Sequence, residues 1–187
     1  MTDIHQEHIT ANQVAGRDID NSTTINHATI INVINQPLKR LIKKFREESE
    51  NGITTQENDS FLCFFQSEVD AIGLQKKLER ANMGAKLQRA MASKEYFIKE
   101  LNKKKFYKTG QELYATLLHK IYHGFNQNIK PLIENEEPAS VIDSAESTLI
   151  NNLALELGDD LDIIKPCEFD GMLYFLTGKC HIKWDKD

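Results

Sequence analysis

The chain has 187 residues, 40% hydrophobic and 27% charged, with a formal net charge of −5. That balance is globular and excludes a disordered polymer, and no apolar run reaches the roughly 18 residues that span a bilayer. Three cysteines, and an N-terminus lacking the basic and apolar regions of a leader, imply a reducing, cytoplasmic setting.

Residues 1–35 read as a β-rich arm. From Ile9 to Asn35 the composition is Asn, Thr, Ile and Val without a helical period. Such β-branched residues favour extended chain. Val14, Gly16, Arg17, Asp18 and Ile19 surround a turn, Ile25 follows it, and Ile31 and Val33 lie in the apolar stretch Ala28–Ile34. A strand apolar on both faces needs a partner, and copies of itself are the expected one. The arm is therefore expected to make the protein a homo-oligomer.

Residues 36–59 form a basic amphipathic helix and linker. Leu38, Leu41, Ile42 and Phe45 make its apolar stripe, while Lys39, Arg40, Lys43, Lys44 and Arg46 cover the other face. The plain reading of that face is a solvated surface; the sharper one is contact with nucleic acid, aided by Lys103, Lys104 and Lys105. Gly52 closes the helix.

Residues 60–187 read as an α-helical interaction domain. One helix runs from Ser60 through Val69, ended by Gly73. Two more span roughly 74–82 and 84–104, with Leu87, Ala90, Met91, Phe97, Ile98 and Leu101 as the second one's buried face. Thr109 and Glu112 have the spacing of a capping box. Behind them Leu113, Leu117, Ile121, Phe125 and Ile129 mark a central helix, ended or kinked at Pro131. A further helix reaches Leu157 with Val141, Ile142, Ala145, Leu149, Ile150 and Leu153 inward. Gly158 stops it, and Leu161–Ile164 suggests a brief strand. Charge shifts along the way: residues 36–133 hold 18 Lys/Arg and 11 Asp/Glu, whereas residues 134–170 hold 11 acidic residues and Lys165 alone.

The last segment is the most apolar. Gly171, Met172, Leu173, Tyr174, Phe175, Leu176 and Thr177 form a helix that Gly178 is placed to stop in the left-handed conformation. Cys180, Ile182 and Trp184 then alternate with His181 and Lys183, which predicts a short extended segment with one buried face. The whole reads as the plug of a core, or as a docking surface if Trp184 is exposed.

Chemistry is sparse. His119 and His123 sit at i, i+4, a spacing that can hold zinc, with Cys167, Cys180 and His181 as remote completers. Lys120 stands where a metalloprotease needs Glu, and no Cys-x-x-Cys occurs. Phosphate-binding, dinucleotide and nucleophile-elbow motifs are missing. No catalytic residue, cofactor or metal is expected.

Gly171–Trp184, together with the helix from Gln111 to Ile133, resembles the C-terminal domains of bacterial ABC-ATPase three-component conflict systems, relatives of Lamassu-type antiphage defences. The resemblance covers roughly residues 73–184. Val14–Ile19 is also similar to a short β motif found ahead of bacterial defence modules. The resemblance implies partners, namely an SMC/Rad50-like ABC ATPase and a middle component, and a specificity or docking role often joined to an effector such as a nuclease. No effector segment is recognisable here, and the arm stands in its place. The sequence thus predicts a mainly α protein with a β-rich N-terminal arm and a short extended C-terminal segment. Its expected function is non-enzymatic assembly, with nucleic-acid contact as the alternative.

Overall fold

The computed structural model describes residues 37–56, 59–65 and 73–184. The expected β arm, with Val14, Gly16, Arg17, Asp18, Ile19, Ile25, Ile31 and Val33, lies outside the described residues, as does the stretch 66–72. The chain divides into residues 1–37 and a compact unit of residues 38–187. The described part is mainly helical and contains no strand.

Helix α1 covers residues 37–51, and Gly52 ends it with φ +65°. Leu38, Ile42 and Phe45 are buried, as the stripe requires. A short α2 (Asp59–Leu62) runs into a 3-10 turn (Cys63–Phe65). Helix α3 (Leu74–Arg80) is followed by a 3-10 turn (Gly84–Lys86) and α4 (Leu87–Lys104). Then come α5 (Lys108–Asn128), α6 (Lys130–Glu134, proline in its first turn) and α7 (Ala139–Leu157). Gly158, at φ +57°, ends α7 and begins a 3-10 turn (Gly158–Asp162) where the sequence suggested a strand. The five residues of that turn include three aspartates, and the Ile163 N–H bonds the Asp160 carbonyl at 3.1 Å in the i→i+3 manner.

Helix α8 (Pro166–Gly178) is the centre of the unit. It packs along α4 and touches α3, α5 and α7. From Gly171 to Thr177 every residue is buried. Rings interlock around it: Phe97 meets Phe175 at 5.3 Å and Tyr114 at 5.7 Å between centroids, and Phe125 meets Trp184 at 4.9 Å. Edge-on packing of this kind suits the aromatic quadrupole.

Four further local expectations are corrected. The tail after α8 is a turn and bend, not a strand. Gly178 stays helical, and the left-handed residue is Cys180, at φ +66°. Cys180 N–H bonds the Thr177 carbonyl at 3.2 Å and His181 N–H bonds the Leu176 carbonyl at 3.0 Å. That pair of bonds is a Schellman motif closed on a cysteine. It folds the tail back so that Ile182 and Trp184 are buried while Lys183 faces solvent. Met91 and Val141, expected inside, are 57% and 40% exposed. Each falls about a quarter turn off the stripe that α8 covers.

The fourth correction concerns the start of α5. Thr109 is not its N-cap, since Tyr107 precedes the helix and supplies no side-chain bond. Glu48 of α1 does the work instead: its carboxylate accepts the Thr109 N–H at 2.8 Å and the Thr109 hydroxyl as well. A carboxylate from another element thus meets the positive end of α5. Glu48→Ala is expected to lower stability by about 1–2 kcal/mol, measured by urea unfolding, with Glu48→Gln recovering part of the loss.

Candidate docking site

The polar groups inside the core come first, because they decide what α8 can do. Glu168 is fully buried, accepting from Tyr114 Oη at 2.7 Å and from the Lys165 N–H at 3.0 Å, with Lys104 Nζ at 3.4 Å. Glu146, on α7, accepts from Tyr174 Oη at 2.8 Å and pairs with Lys86. Burial, reinforced by the adjacent carboxylate, pushes both phenols well above the ordinary tyrosine range, so both remain donors. Burial works against the Lys86 charge, but hydrogen bonds to Asp143 and Glu146 outweigh it and raise its pKa. Among the described residues every buried side-chain nitrogen or oxygen has a partner. These groups form closed hydrogen-bond networks inside the core.

Thr177 is a second hub. Its hydroxyl accepts the Trp184 indole N–H at 2.9 Å and donates to the Leu173 carbonyl at 2.9 Å, while buried Lys77 donates to its carbonyl. Trp184 is therefore part of the core, with Lys86 5.9 Å above its ring. The segment Gly171, Met172, Tyr174, Phe175, Leu176, Thr177 is buried, Gly178, Cys180 and His181 are half-buried, and none offers a broad surface.

The basic residues separate into two groups. Lys39, Arg40, Lys43 and Lys44 are exposed on α1. Arg46 instead bridges Asp160 at 2.9 Å and Asp162 at 2.8 Å. Lys103 pairs with Glu100, and Lys104 turns inward to the Ile163 carbonyl at 2.7 Å. Lys105 lies over the Phe106 ring. The run Lys103–Lys105 is thus engaged within the fold.

His119 and His123 stack 6.3 Å apart on α5. Cys167 is exposed at the start of α8 and Cys63 in the 3-10 turn. Among the described residues no group of three or more His, Cys, Asp or Glu side chains converges as a metal site would require.

An open surface lies between α5 and α7. Two depressions of about 550 and 540 Å³ share Leu149 and Asn152, and so form one trough. Thr116, His119, His123, Gly124 and Gln127 line its α5 side; Ser140, Val141, Ser144 and Thr148 line its α7 side. From Ser140 to Glu156 it runs about 24 Å at 1.5 Å per residue. Gly124 lets the helices approach, since a Cβ there would meet the Leu149 side chain. The outer face of α7 is free of unpaired charge. Its acidic residues are tied to lysines: Asp143 and Glu146 to Lys86, and Glu156 to Lys120 at 2.7 Å. Ser140, Val141, Ser144, Ser147, Thr148, Asn151, Asn152 and Leu155 are left exposed, Leu155 by 76%. The sequence reading missed this face by counting acidic residues over 134–170 without asking which face they occupy. The signal was present in the spacing of Val141, Ser144, Thr148, Asn151 and Leu155, which keeps them on one side of a helix.

Residues 73–184, from the residue before α3 to Trp184, match the family model described as C-terminal domain 9 of the ABC-three component (ABC-3C) systems. No curated protein and no solved structure matches the chain.

Proposed function

Because the chain belongs to the C-terminal domain 9 family of ABC-three component systems, we propose that it is a non-enzymatic docking module of a bacterial antiphage defence system. Its partners in this reading are an SMC/Rad50-like ABC ATPase and a middle component. The supporting observation is the charge-free face of α7 beside the α5–α7 trough. Solvated helix faces normally carry Lys and Glu; a polar but uncharged face with Val141 and Leu155 exposed suits a protein contact.

Leu155→Glu and Ser144→Arg test this. Both positions are exposed, so stability should change by less than about 0.5 kcal/mol. Co-purification with the ATPase component should fall at least about tenfold, equivalent to about 1.4 kcal/mol. Unchanged capture by both variants removes the face from the reading.

Self-association belongs to residues 1–35 in the same proposal, supported by their two-sided apolar composition. Deleting them is expected to reduce the mass measured by light scattering to that of one chain. An equal number of chains per particle before and after deletion rejects the arm as the assembly element.

A further inference from the structure

The segment Phe61–Phe65 lies outside the family match, which begins at residue 73, yet it is seated within the matched domain. Phe61 is fully buried and Phe64 nearly so. The Phe64 ring meets His119 of α5 at 4.7 Å and His181 of the tail at 5.8 Å, both edge-on. Phe65 meets Phe175 of α8 at 5.4 Å. The domain also holds the backbone at the end of the segment. His181 Nε2 is 3.2 Å from the Phe64 carbonyl oxygen, and Lys179 Nζ donates to the Phe65 carbonyl at 2.9 Å.

Three features of this seat resemble recognition of a separate peptide. Aromatic residues at i, i+3 and i+4 present one face of a short helix to a groove, as helix-in-groove ligands do. The last carbonyls of that helix, its negative end, are met by a lysine and a histidine of the groove. The helical stretch Asp59–Phe65 is far below the roughly 12 residues at which a helix becomes marginally stable alone, so the groove orders it.

We propose that α5, α8 and the 179–182 turn form a receptor groove for a short helix of pattern Phe-x-x-Phe-Phe, occupied here in cis, and that a partner protein bearing this pattern exchanges with the chain's own segment. Tethering gives the cis segment an effective concentration on the order of millimolar. A partner therefore displaces it only when it binds more tightly or is itself held nearby. Occupancy of the groove becomes a threshold, set by a segment that the family match does not include.

Hydrogen exchange on the intact protein is the first test. Amides of Phe61–Phe65 should exchange at least about tenfold faster than buried amides of α5 and α8, through a local opening. Exchange at the same rate as those helices makes the segment an ordinary core element and overturns the proposal. The second test uses a fluorescein-labelled peptide of residues 56–68 with Cys63→Ser. It should show saturable anisotropy with the full chain carrying Phe61→Ala and Phe64→Ala, at least about tenfold tighter than with the unaltered chain. The same peptide with Phe64→Ala should bind at least about tenfold more weakly. A folded double variant that takes up no peptide overturns the proposal. Should that variant lose its helical circular dichroism, the intact chain decides. Excess peptide must then speed exchange at Phe61–Phe65 and leave α5 protected, and no change overturns the idea. A doubled mass with segments traded between copies would assign the groove to a second copy instead of a partner. No ATPase enters these assays, so their failure leaves docking at α7 standing.

Discussion

Trp184→Ala is expected to lower the unfolding free energy by about 3–5 kcal/mol, read from urea or thermal denaturation. The indole is fully buried against Phe125, its N–H bonds Thr177, and its face carries Lys86. Truncation leaves a large void and removes a partner from the Thr177 hydroxyl. Since most small domains have about 5–15 kcal/mol in total, the variant should be barely folded at 37 °C. Intact protein should show blue-shifted tryptophan emission that acrylamide quenches poorly. A change below about 1 kcal/mol would show that the tail is not part of the core.

Gly171→Ala should cost about 2–3 kcal/mol through a different route. A Cβ at Gly171 would lie closer than 3.0 Å to the Ser93 carbonyl oxygen and to Phe97 Cβ. The first is backbone and cannot rotate aside, so α4 and α8 must separate and every ring between them loses contact. Gly178 provides the internal control on the same helix. A Cβ there meets the Lys94 Nζ at 3.0 Å, the end of a flexible side chain. Gly178→Ala is therefore expected to be neutral or to stabilise by up to about 1 kcal/mol, alanine being the better helix former. Equal effects from the two substitutions would contradict the close crossing.

Much of the helical frame was legible because its signals are local. Gly52 and Gly158, both at positive φ, end the helices they were expected to end, and the apolar spacing of α5 runs through its buried residues. What failed was tertiary in origin. Thr109 has the local spacing of a cap, but Glu48, 61 residues away, is the group that reaches the helix end. The strand pattern of Cys180, Ile182 and Trp184 records correctly which side chains are buried. A turn closed at Cys180 produces the same alternation without any pairing partner. The family resemblance over residues 73–184 agrees with the family match. The uncharged outer face of α7 was overlooked because a charge count along the chain averages over faces, although the spacing of Val141, Ser144, Thr148, Asn151 and Leu155 carries it. The buried carboxylates were hidden too, since nothing in a single sequence says that Glu146 faces Tyr174.

Helix α8 raises a question of rotational phase. A helix that is apolar on one stripe can sit only one way round, but α8 is enclosed on nearly every side from Gly171 to Thr177. Burial energy alone would scarcely distinguish the native setting from one turned by a residue's worth, about 100°. Two polar pins remove that freedom. Glu168 projects to Tyr114 and Lys104, and Tyr174, six residues further along and on another side of the helix, projects to Glu146, which pairs with Lys86. Any other angle leaves at least one carboxylate, phenol or ammonium without its partner inside the core, at a cost of several kcal/mol. The two Tyr–Glu–Lys sets work as a key with two teeth: they add little to the depth of the native state and exclude its rotated neighbours.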